Sequence, residues 1–408
     1  MRTRYGVPYW IDRYPKARQP SYPRHRGALD VQVAVLGGGL TGCSVAYVFA
    51  AAGLRVALFE ANRLALAGSA SCPGLLRLEP ATPFHELQAR HGLRVARHLW
   101  QSFRRAGLDF GAMIRRLRIR GELVPDAGLR VGLHPSDEKT LRREMQALRE
   151  AGVEGAWLTP ARLRQETGLS GVGAIRSAGD GHVDPYRVAL GLAAEAVRRR
   201  ALIFERTPVL RVKPDRGGVQ IVTDGGLVHA DAIVVASNYP PAPFKSLRRH
   251  FHLREAYCVL TPPVPSFVRR EFGRSRAIVI DCEDPPHVMR RTSDERILFM
   301  GADSDPVPER SRDRLIVQRT GQLMYELSKL YPAISGIQPD YGWSVPVATS
   351  PDGYPCIGPH RNYPHHLFAL GSGHNGVASA CMAARVLLRH HLGAPEKGDD
   401  LFGFPRIL

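Results

Sequence analysis

Three glycines and an acid carry the first chemical signal. Gly37, Gly39 and Gly42 stand at G-x-G-x-x-G spacing, and Glu60 closes the segment that follows them. Glycines at that spacing let a chain turn tightly, let a phosphate approach the backbone, and let a helix pack closely on a strand. A helix opening at Leu40 and Thr41 would present free N–H groups and a partial positive charge to that phosphate. A carboxylate at Glu60 accepts hydrogen bonds from ribose hydroxyls and opposes a 2′-phosphate, so the set fits an adenine dinucleotide other than NADP. A second glycine-rich turn, Gly371-Ser372-Gly373-His374-Asn375-Gly376, precedes an apolar run from Val377. It offers another helix N-terminus to an anion, and the two turns together suggest two helix ends aimed at one cofactor.

The elements that must hold these groups are legible around them. Val31–Leu36 is a short apolar run ending in glycine, which reads as a buried strand. Thr41–Ala52 is nearly uncharged and helix-forming, Gly53 follows where a helix would stop, and Arg55–Phe59 reads as a second strand. The result is a β-α-β unit with an acid at its far end. The small-residue segment from Ala61 to Pro80 has no clear period; leaving the carboxyl edge of such a sheet, it would bring the backbone of Ser69, Ala70 and Ser71 toward the cofactor.

Downstream, Asp184 and Pro185 are the cap and first turn of a helix over Tyr186–Arg200. Strands are expected at Ile203–Val212, Val219–Val222 and Ala232–Ala236, which would complete the sheet begun upstream and make residues 107–178 an insertion. Within and before that insertion the pattern predicts helices over Pro83–Ala106, Asp137–Ala151 and Thr159–Thr167, and a hairpin around Pro125–Gly128. Strand-like runs at Glu255–Leu260, Ala277–Ile280 and Ile297–Met300, with an amphipathic helix over Arg312–Leu330, suggest an antiparallel second layer. A strand at Leu367–Leu370 and a helix from Val377 to about His391 close the pattern.

Bulk properties narrow the classes. With 408 residues, 44% hydrophobic and 23% charged, the chain is an ordinary globular sequence long enough for a large core or two domains. The net charge of +18 is mostly arginine spread along the chain, without the basic-aromatic cluster of a nucleic-acid platform. Nucleic acid is therefore not an expected partner, although the surplus would draw an acidic substrate. The six cysteines form no C-x-x-C and no His/Cys spacing for a metal. No metal is expected, and reduced thiols point to the cytoplasm. No stretch reads as a signal peptide or a membrane span, and no G-x-S-x-G supports hydrolase chemistry. His85, His91 and His98 scatter around their helix without a completing acid. The first 29 residues read as an irregular arm anchored by Tyr9, Trp10 and Tyr14.

The ordered set Val33–Glu60, Asp184–Ala236 and Trp343–Gly376 resembles the D-amino-acid oxidase or glycine oxidase (DAO) family of FAD-dependent oxidoreductases, over about residues 30 to 393. The resemblance implies an α/β fold in which a Rossmann-like FAD-binding domain of the glutathione-reductase type is interleaved with a substrate domain on an antiparallel sheet. Its expected pieces are the arm at 1–29, the FAD-binding domain at 30–106, 179–245 and 341–393, the substrate domain at 107–178 and 246–340, and a tail at 394–408. It implies that Val209 lies beside the adenine and that Gly371 to Val377 pass under the flavin ring. The implied reaction is oxidation of an amino acid or secondary amine at its C–N bond by hydride transfer to flavin N5, the imine then hydrolysing, with oxygen or another electron acceptor taking the electrons. A positive field near flavin N1 would come from the helix beginning near Asn375, with His374 adding to it or lining the pocket. An arginine that pairs with the substrate carboxylate is implied too, with Arg290 or Arg291 as the candidates and Tyr257 opposite.

Two departures qualify the match. Ser71 stands where some relatives attach the flavin through a histidine, and Cys356 falls where no attachment is expected, so noncovalent FAD is predicted. Ala236-Ser237-Asn238 replaces the glycine-containing end usual after that strand. Two other readings stay open on the sequence: a flavoprotein acting on RNA, and a degenerate member whose FAD is structural.

Overall fold

The computed structural model describes residues 3–407. Val33 to Leu36 pair in parallel with Val56–Phe59 on one side and with Ala232–Val235 on the other. Both faces of these strands are covered, which is why they are apolar at every position rather than alternately. The sheet runs Leu202–Phe204, Val56–Phe59, Gly27–Leu36, Gly226–Asn238, Gly218–Thr223, Val209–Asp215. Tyr363–Leu370 takes the second half of the free edge of Gly226–Asn238, again in parallel. The helices Leu40–Ala51, Pro185–Arg198 and Gly376–His391 belong to the core cluster on one face of this sheet, and Leu40–Ala51 is buried along most of its length.

The second layer is a nine-stranded sheet with Tyr341–Thr349, His252–Leu260, Ile297–Ser304 and Val288–Arg291 as consecutive antiparallel neighbours. Its residues alternate between two cores, as a period of two requires. Ala256, Cys258, Leu260, Val288, Leu298, Met300, Trp343 and Val345 pack in the same core as the helices on the first sheet. Tyr257, Val259, Met289, Ile297 and Phe299 pack on the opposite side, with Leu323 and Leu327 of the helix Glu309–Leu330.

Several sequence expectations shift. The helix expected to end at Ala106 runs from Phe84 to Arg116, interrupted at Gly92 where φ is 79°, so the boundary drawn at 107 falls inside a helix. Tyr341–Thr349, expected in the FAD-binding domain, hydrogen-bonds to His252–Leu260 and is a strand of the antiparallel sheet. The expected hairpin around Pro125–Gly128 is not a pair: Val124–Pro125 joins Gly181–His182, while Gly128–Gly132 joins Gly173–Ser177 and Ile278–Ile280. Ile203–Val212 divides into two strands, Leu202–Phe204 and Val209–Asp215. The arm is not irregular throughout: Arg4–Tyr5 adds to the edge of the antiparallel sheet, and Tyr9–Arg13 forms one helical turn with Tyr9 and Trp10 buried. Among the described residues no helix is long and apolar enough to cross a membrane, and no cluster of His, Cys, Asp and Glu is placed to hold a metal ion.

Candidate active site

Each motif glycine answers to a specific contact. Gly37 has φ of +109°, and a Cβ there would stand 2.8 Å from the carbonyl oxygen of Ala236. A Cβ on Gly42 would stand 1.8 Å from the carbonyl oxygen of Gly37, so this third glycine is what lets the helix lie on the strand. Gly39 caps the helix Leu40–Ala51 with no side-chain partner, and Thr41 and Gly42 have N–H groups without an acceptor inside the helix. Ser69 reaches back to this turn, its Oγ accepting from the Leu40 N–H at 2.7 Å. Glu60 is held against the same turn, accepting from the N–H groups of Gly38 at 2.7 Å and Asn62 at 2.8 Å.

These groups open on a cavity of about 420 Å³ between the two sheets. Of the residues expected to bind the cofactor, Gly37, Gly39, Leu40, Thr41, Glu60, Ala61, Ser69, Val209, Ala236, Gly373, His374, Gly376 and Val377 line it. The lining thus joins the first glycine turn to the second across more than three hundred residues of chain. A glycine-lined cavity with a helix N-terminus at each turn, an acid and an apolar wall among its lining fits FAD.

The remaining expected cofactor residues stand behind the lining, Gly42 as described above. Ala70 is buried, and Ser71 turns its Oγ to the Ala67 carbonyl while its own carbonyl accepts from the Trp343 indole at 2.8 Å. Gly371 adopts φ of +69°, where a Cβ would meet the Phe251 ring at 2.8 Å. Asn375 is buried and donates to the Glu79 carbonyl at 2.6 Å, which fixes the turn rather than lining the cavity. The departure at Ala236-Ser237-Asn238 has a clear local answer. Asn238 takes the left-handed conformation at φ 62°, the region that asparagine tolerates better than most residues. Its Oδ1 then accepts from both the N–H and the Oγ of Ser372, at 2.9 and 2.8 Å.

The three substrate-side candidates separate by strand face. Tyr257 points away from the cavity into the other core, its hydroxyl 3.2 Å from Ser304 Oγ. Arg291 also turns away, donating to the Ser275 carbonyl at 2.9 Å. Neither is placed opposite a substrate in the cavity, because adjacent residues on a strand project to opposite faces. Arg290 alone faces the cofactor side. It is 1% exposed, donates from Nε to the Pro73 carbonyl at 3.0 Å, and leaves Nη2 buried without a hydrogen-bond partner. Burial pulls its pKa down to about 10, against the attraction of Asp126. Cys72 and Pro73, which line the cavity, separate its guanidinium from the open space.

His374 lines the cavity beside the second turn, with Nε2 at 4.0 Å from Asp303 Oδ2. Burial lowers its pKa, Asp303 works against that, and Arg254 adds to it. Met300, Val345 and Val347 form the apolar wall, Asn238 lines the cavity while it holds the turn at Ser372, and Asp303 stands beside His374. Sequence reasoning missed these five as site residues, although the absent glycine at Asn238 was a usable signal. Cys356 is buried in the strand Cys356–His360, away from the lining.

Residues 32–389 match the model of the family described as FAD dependent oxidoreductase (DAO), and the chain belongs to that family. It is 27% identical to a glycine oxidase of Bacillus licheniformis over 91% of this chain and 95% of that protein. It is 25% identical to the gamma-glutamylputrescine oxidoreductase of Escherichia coli over 93% of this chain and 87% of that protein. The crystal structure of glycine oxidase from Geobacillus kaustophilus superposes with a TM-score of 0.76 at 22% identity, covering 93% of this chain and all of that one. The protein is accordingly an FAD-dependent oxidoreductase.

Proposed function

We propose that the protein oxidises the C–N bond of a small amino acid or secondary amine that carries a carboxylate, releasing an imine that hydrolyses, with noncovalent FAD. The observation that carries this reading is Arg290, a buried cation whose Nη2 has no partner, one residue behind the cavity wall. A buried cation without a close counter-ion is costly, and its field, acting through the wall formed by Cys72 and Pro73, would favour a substrate that carries a carboxylate.

When bound, FAD supplies the hydride acceptor at N5. The chain's own residues divide the rest of the work. Glu60 holds two backbone N–H groups and keeps lone pairs for ribose hydroxyls, while the free N–H groups of Thr41 and Gly42 at the helix start would receive the pyrophosphate. The N-terminus of the helix Gly376–His391 directs a positive field at the far end of the cleft. His374, kept neutral by burial, lines that end without contributing a fixed charge. The apolar wall of Met300, Val345 and Val347 excludes water from the reacting carbon.

An anaerobic flavin-reduction screen over glycine, sarcosine, D- and L-amino acids and N-methyl amines tests the proposal. Bleaching by at least one carboxylate-bearing amine is expected. A protein that carries FAD and is reduced by none of them overturns it, in favour of a structural flavin.

A further inference from the structure

The end of the strand Gly226–Asn238 is built more elaborately than a chain exit requires. Its parallel pairing with Tyr363–Leu370 slips in register between Val235 and Asn238. An irregularity of this kind re-aims the side chain that follows it. Asn238 then takes a left-handed backbone that a residue with a Cβ adopts under strain. Three bonds hold it there against the second glycine turn. Its carbonyl accepts from the Gly371 N–H at 2.8 Å, and its Oδ1 accepts from both the N–H and the Oγ of Ser372.

These bonds also fix which way the amide points. A backbone N–H only donates, so the atom that meets Ser372 N–H is the amide oxygen and the group cannot be flipped. The other branch of the same plane is Nδ2, with two N–H donors. Nδ2 finds no acceptor among the described residues, and it is not one of the enclosed unpaired polar atoms either. It is therefore an open donor, on a residue that lines the cavity together with Ser237, Ser372, Gly373 and His374.

We propose that Asn238 binds the cofactor directly: while its Oδ1 holds the second turn, its Nδ2 donates to an oxygen acceptor of bound FAD. FAD carries acceptor oxygens on its phosphates, its ribityl chain and its pyrimidine ring, and any of them suits an amide donor. The donor is already immobilised by the bonds to Ser372, so little side-chain entropy is lost when the cofactor arrives. The asparagine that replaces a glycine at this strand end thus does two things a glycine could not.

The test titrates full-length apoprotein with FAD, reading the change in flavin fluorescence, beside melts of the apoprotein. Asn238→Asp keeps an oxygen for Ser372 and replaces only the donor. Its apoprotein Tm should stay near the parent value while FAD binding weakens by about 5- to 150-fold, the worth of leaving an acceptor unpaired. The new charge also repels phosphates, so the titration is repeated at about 1 M salt, where the Debye length is about 3 Å. Weakening that persists there is expected, and weakening that salt abolishes counts against the donor. Parent-like FAD affinity in Asn238→Asp overturns the proposal outright. Ser372→Ala removes the Oγ contact, leaves Nδ2 in place, and should bind FAD within a few-fold of the parent. Should Asn238→Asp fail to fold, Asn238→Gly takes its place: affinity lost there and kept in Ser372→Ala is expected, and equal losses in the two overturn the proposal by assigning the effect to the turn. The inference rests on this cavity as the FAD site, and Gly39→Glu separates that failure. FAD retained in Gly39→Glu removes the site, whereas FAD lost there and bound normally by Asn238→Asp removes only the role of Asn238.

Discussion

Arg290 and Arg291 are chemically identical neighbours, and the fold assigns them different surroundings. One guanidinium is buried on the cofactor side with an unpartnered Nη2, and the other is tied to the Ser275 carbonyl on the far side. Replacement of Arg290 by Met should raise KM for a carboxylate-bearing substrate by about 10-fold, the loss of about 1.4 kcal/mol of charge attraction across the cavity wall. Arg291→Met should leave KM within a few-fold. Steady-state kinetics on the best substrate of the reduction screen checks both, and equal effects would remove the distinction. Asn238 is a second case at this scale. Asn238→Gly keeps the left-handed backbone and loses the two bonds to Ser372, whereas Asn238→Ala loses the bonds and strains the backbone as well. Thermal melts should place the alanine variant lower by about 1 kcal/mol, and equal melting points would show that the conformation carries no cost.

At the scale of elements, the β-α-β unit separates two kinds of glycine. A side chain at Gly39 meets only Ser69 Oγ at 3.1 Å, while one at Gly42 would collide with the Gly37 carbonyl. Gly39→Glu should therefore leave the apoprotein folded, with Tm near the parent value, and abolish FAD binding by placing a carboxylate at the phosphate site. Gly42→Ala should lower the stability of the apoprotein itself by about 1–3 kcal/mol, an overpacking cost, and lose FAD as a consequence. Flavin fluorescence after denaturation, read beside apoprotein melts, distinguishes the two. Retained flavin in Gly39→Glu would contradict the assignment of this turn to the cofactor. The unit itself was legible because its determinants are local: glycine spacing, an uncharged helix and a terminal acid all lie within thirty residues. The hairpin near Pro125 was not, since Val124 and Gly128 choose partners about fifty residues or more away.

Across the whole molecule, burial of histidine sets the response to acid. His25, His182, His360, His366 and His374 are all shifted downward, with burial the leading cause. The unfolded chain takes up protons near pH 6.5 while these folded sites do not, so stability is lost as pH falls from about 6.5 toward their lowered values. His287 runs the other way, because Asp281 and Glu326 hold its proton despite burial. Asp184, raised by burial to about 6, also opposes the loss as pH falls toward its unfolded value near 3.8. The histidines outnumber these two, so Tm should drop between pH 7.5 and pH 5.5. A Tm that rises over that interval, measured by calorimetry at fixed salt, would refute the balance.

The sequence alone determined the cofactor half of this protein. Gly37, Gly39, Gly42 and Glu60 act through backbone geometry within one β-α-β unit, and the second turn at Gly371–Gly376 obeys the same local rule, so residue type and spacing suffice to find both. Tertiary structure alone decided the substrate half. Whether Arg290, Arg291 or Tyr257 faces the cavity depends on strand register, since a shift of one residue exchanges the two faces of the sheet. The contact between Trp10 and Arg290 joins positions 280 residues apart, on segments that no sequence period links. A glycine-rich cradle is built from near neighbours, and the surroundings of Arg290 are built where distant strands and the arm converge.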